Sequence, residues 1–239
     1  GIKLGKRVPL HTHSVWKDGI LEVQDEGSQI ASLMCNAKPG MKVLDACAGA
    51  GGKSLCIAAS MQNKGSITLS DVSKTRLEQA KKRIRRAGIS NYQIKQVDED
   101  RSWFKRQMGK FDRVVLDVPC SGSGTWRRNP DLKNKLTQKD LDEIVVLQQE
   151  ILEKNKVYVK SDGLLIYITC SVFKIENGTQ IEKFLKQNPD FELTDMKSIW
   201  EENISSPFDF NDYKEELGIQ LVPHVHKTDG FFISVMKRR

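Results

Sequence analysis

Short apolar runs rich in β-branched residues recur along this chain, each bounded by turn or helix signals: MKVLDAC (41–47), SITLSDV (66–72), YQIKQV (92–97), FDRVVLDV (111–118) and LLIYITC (164–170). Their length and composition predict five strands. Helical patterns separate them: GKSLCIAASM after the first, SKTRLEQAKKRIRRAG after the second, and a long one after the fourth. The long one opens at Thr137, where TQKD has capping-box spacing, and Leu141, Ile144, Val145, Ile151 and Leu152 form an i, i+3, i+4 stripe. IENGTQIEKFLKQNP (175–189) predicts a further helix, and IQLV (219–222) with GFFISVMK (230–237) a closing hairpin at the sheet edge. Strand and helix alternate, which predicts an α/β fold with a mostly parallel sheet, helices on both faces, and ligands at the carboxyl ends of the strands.

The first forty residues fit the alternation less well. GILEVQDEGSQIASLMC reads as a strand, a turn and a helix packed ahead of the main sheet, and the abrupt start at Gly1 suggests a missing upstream part. The expected organisation is an N-terminal strand/helix extension over residues 1–40 packed on a catalytic domain over residues 41–239. No repeat, low-complexity tract or Pro/Gly-rich linker divides the chain.

With 239 residues, 38% of them hydrophobic, the chain can bury a single sizeable core. Cys35, Cys47, Cys56, Cys120 and Cys170 are odd in number and contain no CxxC pair, which argues against a disulfide framework and a zinc ribbon and points to a reducing compartment. No apolar stretch approaches a membrane span, and GIKLGKRVPLH lacks a signal-peptide core, so a soluble, cytoplasmic protein is expected, without membrane or metal partners. The histidines of HTH (11–13) and HVH (224–226) read as alternate residues on strands rather than zinc ligands. A net charge of +7 decides little, but KTRLEQAKKRIRRAG and WRR concentrate cations where a polyanion can be held; for the helix, a solvated face is the plainer reading.

LDACAGAGGKS (44–54) joins the first strand to the first helix. It is a near miss for two phosphate motifs: a Walker A loop needs Gly where Cys47 stands, and a G-x-G-x-x-G starting at Gly49 ends on Ser54. Asp71 closes the second strand, where a carboxylate can accept from ribose hydroxyls, and Asp98 is read as closing the third, on the adenine side. Acids at three successive strand ends, Asp45, Asp71 and Asp98, describe a nucleoside site without a pyrophosphate clamp, which suits S-adenosylmethionine better than NAD or ATP.

Two further strands end in cysteine. A strand-end cysteine is usually a small apolar filler. Pro119 precedes Cys120, however, and Ser121, Gly122, Ser123 and Gly124 permit close approach of a substrate, while Thr169 and Ser171 flank Cys170 ahead of a helix whose dipole can favour a thiolate. Adjacent strands would put both sulfurs in one cleft. Carbon 5 of a pyrimidine is methylated after a thiolate adds at carbon 6, so a thiol pair points to that chemistry and leaves open which sulfur attacks.

VLDACAGAGGKS, LSDVS, VDEDR, DVPCSGSGTWRRNPD, YITCSVFKIEN and PHVHKTDGFF together resemble the successive motifs of the NOL1/NOP2/Sun (RsmB/RsmF-like) RNA 5-methylcytosine methyltransferases, in order and over nearly the whole chain. The resemblance implies a Rossmann-like class I methyltransferase fold with a mostly parallel seven-stranded sheet and an antiparallel C-terminal strand. It implies Cys170 as the nucleophile, Cys120 as the residue that assists release, and Asp117 and Lys53 beside the reacting base. It places S-adenosylmethionine against Cys47, Ala48, Gly49, Ala50, Gly51, Gly52 and Lys53, with Asp71, Asp98 and Asp117. Arg127 and Arg128 would meet RNA phosphate, and Trp126 would stack on a base or pack, the two readings standing equal. The expected partner is RNA, ribosomal or transfer, and the expected state a monomer. A non-catalytic RNA-binding module of the same fold is the alternative. Where the family has Ala-Pro before its Gly-Gly-Lys, this chain has Gly49-Ala50, so a more flexible loop and a looser cofactor are expected; Asp100 competes with Asp98.

Overall fold

In the computed structural model, which describes residues 2, 4, 8–208, 214, 215 and 217–239, five parallel strands form the centre: β1 Lys42–Asp45, β2 Ser66–Asp71, β3 Tyr92–Gln96, β4 Phe111–Asp117 and β5 Val159–Thr169. Strands β6 Phe191–Leu193, β7 Lys214–Glu215, β8 Gly218–Leu221 and β9 Phe231–Arg238 complete one sheet in the order β3-β2-β1-β4-β5-β9-β8-β7, with β6 paired to β9. β9 runs antiparallel to β5 and to β8, giving the expected closing hairpin. The expected seven strands are all present; the two additional ones, β6 and β7, are three and two residues long, too short for a period-2 pattern to reveal.

The helices are α1 Ser14–Lys17, α2 Glu26–Leu33, α3 Gly52–Ser60, α4 Lys74–Arg86, α5 Arg101–Lys105, α6 Asp131–Lys135, α7 Gln138–Asn155, α8 Gly178–Gln187, α9 Met196–Asn203 and α10 Pro223–His226. The capping box at Thr137 forms with Asp140 and starts α7 as its spacing predicts. Both sheet faces are covered. Leu164, Ile166 and Ile168 of β5 join one cluster with Met34 at the C-cap of α2, Ile57 of α3, Ile84 of α4 and Trp200 of α9. Leu165 and Tyr167 face the other, with Phe104, Leu152, Ile181 and Phe184. This alternation within a continuously apolar strand is what a parallel sheet buried on both sides requires.

Two expectations fail locally. Residues 21–25 form no strand: Glu22 instead pairs with Arg83 at 3.3 Å and with Arg86, and Arg86 lies 3.7 Å over Trp16, so side-chain contacts rather than a sheet edge hold this segment to α4. The histidine pairs are not on strands either: His11 lies in a single 3-10 turn, His13 caps α1, and His224 and His226 belong to α10.

The register of β4 on β5 positions the cleft. Asp117 stands opposite Ile168, so Cys120, three residues beyond, and Cys170, two beyond, emerge together at the carboxyl ends of these central strands. Backbone bonds then stitch the loops: Gly124 N–H donates to the Cys170 carbonyl at 2.9 Å, and Gly230 N–H to the Gly124 carbonyl at 2.8 Å. A Cβ on Gly124 would stand 2.2 Å from the Gly230 oxygen. Gly124→Ala must therefore part these backbones; it is expected to cost about 1–3 kcal/mol and lower Tm by about 2–12 °C, read by thermal unfolding, whereas an unchanged Tm would mean that the contact yields freely.

Candidate active site

The cleft lies where the carboxyl ends of β1, β2, β4 and β5 meet. After β1 the chain turns sharply, and Gly51, at φ +80° with Ala80 of α4 3.0 Å from where its Cβ would be, caps α3. Three bonds pin this loop: Ala48 N–H donates to the Ser70 carbonyl at 2.9 Å, Gly49 N–H to Asp71 Oδ2 at 2.9 Å, and Arg83 Nη1 to the Ala50 carbonyl at 2.8 Å. The loop expected to be loose for want of a proline is thus tied at successive residues. Arg83 is the tie that sequence reasoning missed, because it sits in a basic run that reads as a solvated face.

Asp71 ends β2 and also accepts from Ser73 N–H at 2.8 Å. Asp98 does not end β3. That strand stops at Gln96, and Asp98 follows in a turn, 65% exposed in its side chain, with Arg101 at 3.5 Å. The turn is steered by Asp100, whose carboxylate accepts from Gln96 N–H at 3.0 Å and meets Lys95 at 3.2 Å, a local bond that outcompetes strand extension. Val97 N–H donates to the Asp71 carbonyl at 3.4 Å, so the Asp98 turn borders the end of β2.

Deeper in, Lys53 of α3 donates to Asp117 Oδ2 at 2.7 Å; Lys53 is buried and Asp117 one-third exposed. Burial pushes Lys53 down, but Asp117 by charge and hydrogen bond, with Asp45 and Cys170 adding, lifts it above its ordinary value, so the ammonium stays charged. Asp45 is pushed up to about 7 by burial, against a 2.6 Å bond donated by Ser54, and its Oδ1 has no partner. Asp45, Asp71 and Asp117 all act on Cys47, whose thiol burial and these carboxylates hold well above the ordinary range. The carboxylates of Asp71 and Asp117, with Asp45 partly protonated behind them, make the site unsuited to a pyrophosphate and suit a ligand bearing positive charge. Asp71 at the end of β2 suits a ribose. The donor set therefore fits a cationic nucleoside such as S-adenosylmethionine.

Beside this group the Cys120 and Cys170 sulfurs stand 3.2 Å apart, both cysteines free. Their surroundings differ. A hydrogen bond from Cys120 lowers the Cys170 thiol, burial and Asp117 oppose it, and Lys53 assists. Cys120 is raised well above its ordinary value by that same hydrogen bond, by burial and by charge on Cys170, with Glu176 adding. The two thiols are thus shifted in opposite directions, Cys170 down and Cys120 up, chiefly through the hydrogen bond between them, and that direction favours a thiolate at Cys170. The helix dipole expected to help plays no direct part, because α8 begins only at Gly178.

Arg127 and Arg128 both pair with Asp229, which is fully buried, Arg127 at 3.6 Å, while about half of each side chain stays exposed. Trp126 packs edge-to-face on Phe173 at 5.7 Å, with Lys133 5.9 Å from its ring centre. Among the described residues no cluster of three or more His, Cys, Asp or Glu side chains can hold a metal, and no helix is long and apolar enough to cross a membrane.

The sulfur asymmetry predicts the order of alkylation. At pH 7.5 iodoacetamide should modify Cys170 before Cys120, and Cys120→Ala or Lys53→Met, which remove a hydrogen-bond donor and a positive charge, should raise the Cys170 thiol and slow its modification, followed by peptide mass spectrometry. Equal rates at the two cysteines would contradict the assignment.

The chain is similar to known proteins in both sequence and fold. The family model described as 16S rRNA methyltransferase RsmB/F matches residues 32–237. The probable ribosomal RNA small subunit methyltransferase B of Bacillus subtilis (strain 168) is 34% identical over 240 residues, covering 100% of this chain and 52% of that protein. The crystal structure of PH0851 superposes with a TM-score of 0.86 at 34% identity over 98% of this chain and 50% of that one. A methyltransferase homolog protein from Pyrococcus horikoshii does so with a TM-score of 0.77 at 29% identity, over 98% and 73%. The chain spans about half the length of the curated relatives it matches. The matched region runs from α2 into β9 and contains every side chain of the cleft, and the chain belongs to the 16S rRNA methyltransferase RsmB/F family.

Proposed function

We propose that this chain methylates carbon 5 of a cytosine in RNA, with S-adenosylmethionine as cofactor and small-subunit ribosomal RNA as substrate. The observation that carries the reading is the sulfur pair at 3.2 Å with the Lys53–Asp117 ion pair beside it. The relatives' names support ribosomal RNA ahead of transfer RNA. An RNA-binding module without catalysis would have no use for two thiols held in contact and differently ionised.

The chemistry follows from the charges. The Cys170 thiolate adds to carbon 6 of a cytosine unstacked into the cleft, and the C5–C6 π pair moves to carbon 5, making it nucleophilic. S-adenosylmethionine, when bound, supplies the electrophilic methyl group on a sulfonium. Asp117 accepts a hydrogen bond from the cytosine amino group, and Lys53, paired with it at 2.7 Å, holds it oriented. A base then takes the proton from carbon 5, the C5–C6 double bond reforms, and the carbon–sulfur bond breaks as Cys170 leaves. Cys170 leaves as the thiolate it began as, and Cys120 assists release by donating a hydrogen bond from its S–H to that departing sulfur, keeping its own proton. The sites proposed for the remaining residues follow the cleft: Cys47 to Gly52 and Asp71 around the methionine and ribose, Asp98 beside the adenine, and the exposed edges of Arg127 and Arg128 on phosphate. Trp126 is read as packing, since its ring is engaged with Phe173.

Incubation with small-subunit ribosomal RNA and methyl-labelled cofactor, followed by nucleoside analysis, should return the label in 5-methylcytidine. Label in a ribose methyl group or on an exocyclic amine would overturn the reading. Asp117→Asn is expected to reduce kcat by about 10²–10³-fold, measured under saturating cofactor; a rate within about threefold of wild type would remove Asp117 from the reaction.

A further inference from the structure

The mechanism makes no use of the strongest polar site outside the cleft, the carboxylate of Glu176. It is fully buried, and among the described residues no cation pairs with it. A buried carboxylate without a counter-ion survives only if hydrogen bonds satisfy it. Its donors come from both cysteine loops. Oε1 accepts from Ser121 N–H at 2.8 Å and from Gln148 Nε2 at 3.0 Å; Oε2 accepts from the hydroxyls of Ser121 and Ser171, each at 2.5 Å. Ser121 and Ser171 are the residues that follow Cys120 and Cys170. Gln148 of α7 also donates to the Pro119 carbonyl at 3.0 Å, so both sides of Cys120 are tied to this point. Tyr167 O–H donates to the Glu176 carbonyl at 2.6 Å and Asn177 Nδ2 to the Ser171 carbonyl at 3.0 Å, which fixes the segment carrying the carboxylate.

We propose that Glu176 is a positioning residue of the active site: by clamping the residue after each cysteine it sets the contact between the two sulfurs and the direction of their hydrogen bond. The inference rests on the reading of Cys170 and Cys120 as the working pair. Two effects act together. The clamp places the sulfurs at 3.2 Å. The negative charge sits on the Cys120 side, where it disfavours a second anion and leaves Cys120 as the donor. The other ionisable groups facing the pair are Lys53 from α3, Asp117 from the end of β4 and the buried Tyr167 phenol from β5; Lys53 favours a thiolate at Cys170, whereas Asp117 opposes one there.

Glu176→Gln separates geometry from charge. Its Oε1 can keep both of its donors, and its amide N–H groups can donate to the two serine hydroxyls, which rotate to accept. This variant should fold, keep cofactor KM within about twofold, and shift the pH midpoint of Cys120 alkylation downward, so that the preference for Cys170 over Cys120 shrinks. Glu176→Ala opens the clamp; kcat should fall by about 100-fold, as for a reacting group displaced by about 1 Å, with cofactor KM again little changed. Ser121→Ala and Ser171→Ala, which each remove one strut, should give smaller losses of the same kind. Restoration of most of the activity by Gln but not Ala marks positioning. The idea is overturned if Glu176→Gln leaves the alkylation preference at its wild-type value, or if folded Glu176→Ala keeps wild-type kcat. The thiol measurements need no RNA, so they can support the clamp even where methylation of cytosine is not found, and fail even where it is.

Discussion

The parallel pairing of β4 with β5 is the constraint on which the site depends. Because Asp117 stands opposite Ile168, the two chains leave the sheet together, and two cysteines fifty residues apart in sequence arrive at one point. A slip of one residue would turn every side chain of β5 to the opposite face, exchanging the Leu164, Ile166 and Ile168 set for Leu165 and Tyr167. Both sets are buried in different cores, so the register is held by packing on each side of the sheet.

Everything charged near that point is arranged against burial. Lys53 is kept ionised by Asp117, Arg127 and Arg128 compensate the buried Asp229, and Glu176, among the described residues, relies on hydrogen bonds alone. Such groups are costly in a low dielectric unless each partner is present. The cleft therefore holds its charges in fixed places before any ligand arrives, which is the condition for electrostatic stabilisation without reorganisation. The same economy reaches the cofactor loop, where Arg83 links Glu22, ahead of the sheet, to the Ala50 carbonyl.

The fold was largely legible, because strands buried on both faces read as continuous apolar runs and the capping box at Thr137 is a local signal. The glycine loop, Asp71 and the cysteine pair were legible for the same reason, since they close or follow such runs, whereas Asp117 entered through the family resemblance. What could not be read depends on tertiary partners. Residues 21–25 have a strand-like pattern but find arginines of α4 instead of a sheet edge. Asp98 lost its strand end to the Asp100 side chain, and the histidines went to short turns. The basic run of α4 hid Arg83 and Arg86 among exposed cations, and nothing in the spacing of Glu176 announces that it touches both cysteine loops. The division between Cys170 and Cys120 comes from family resemblance; the opposite shifts of the two thiols, with Lys53 acting on Cys170 and Glu176 on Cys120, are consistent with it.

The central claim is that the two thiols have different tasks. Its most direct measurement is the covalent protein–RNA complex formed by Cys120→Ala and Cys170→Ala proteins with cofactor and substrate RNA, resolved by denaturing electrophoresis. The account predicts a stalled complex that accumulates with Cys120→Ala and none with Cys170→Ala. A complex formed by the Cys170→Ala protein, or methylation by it, would contradict the account.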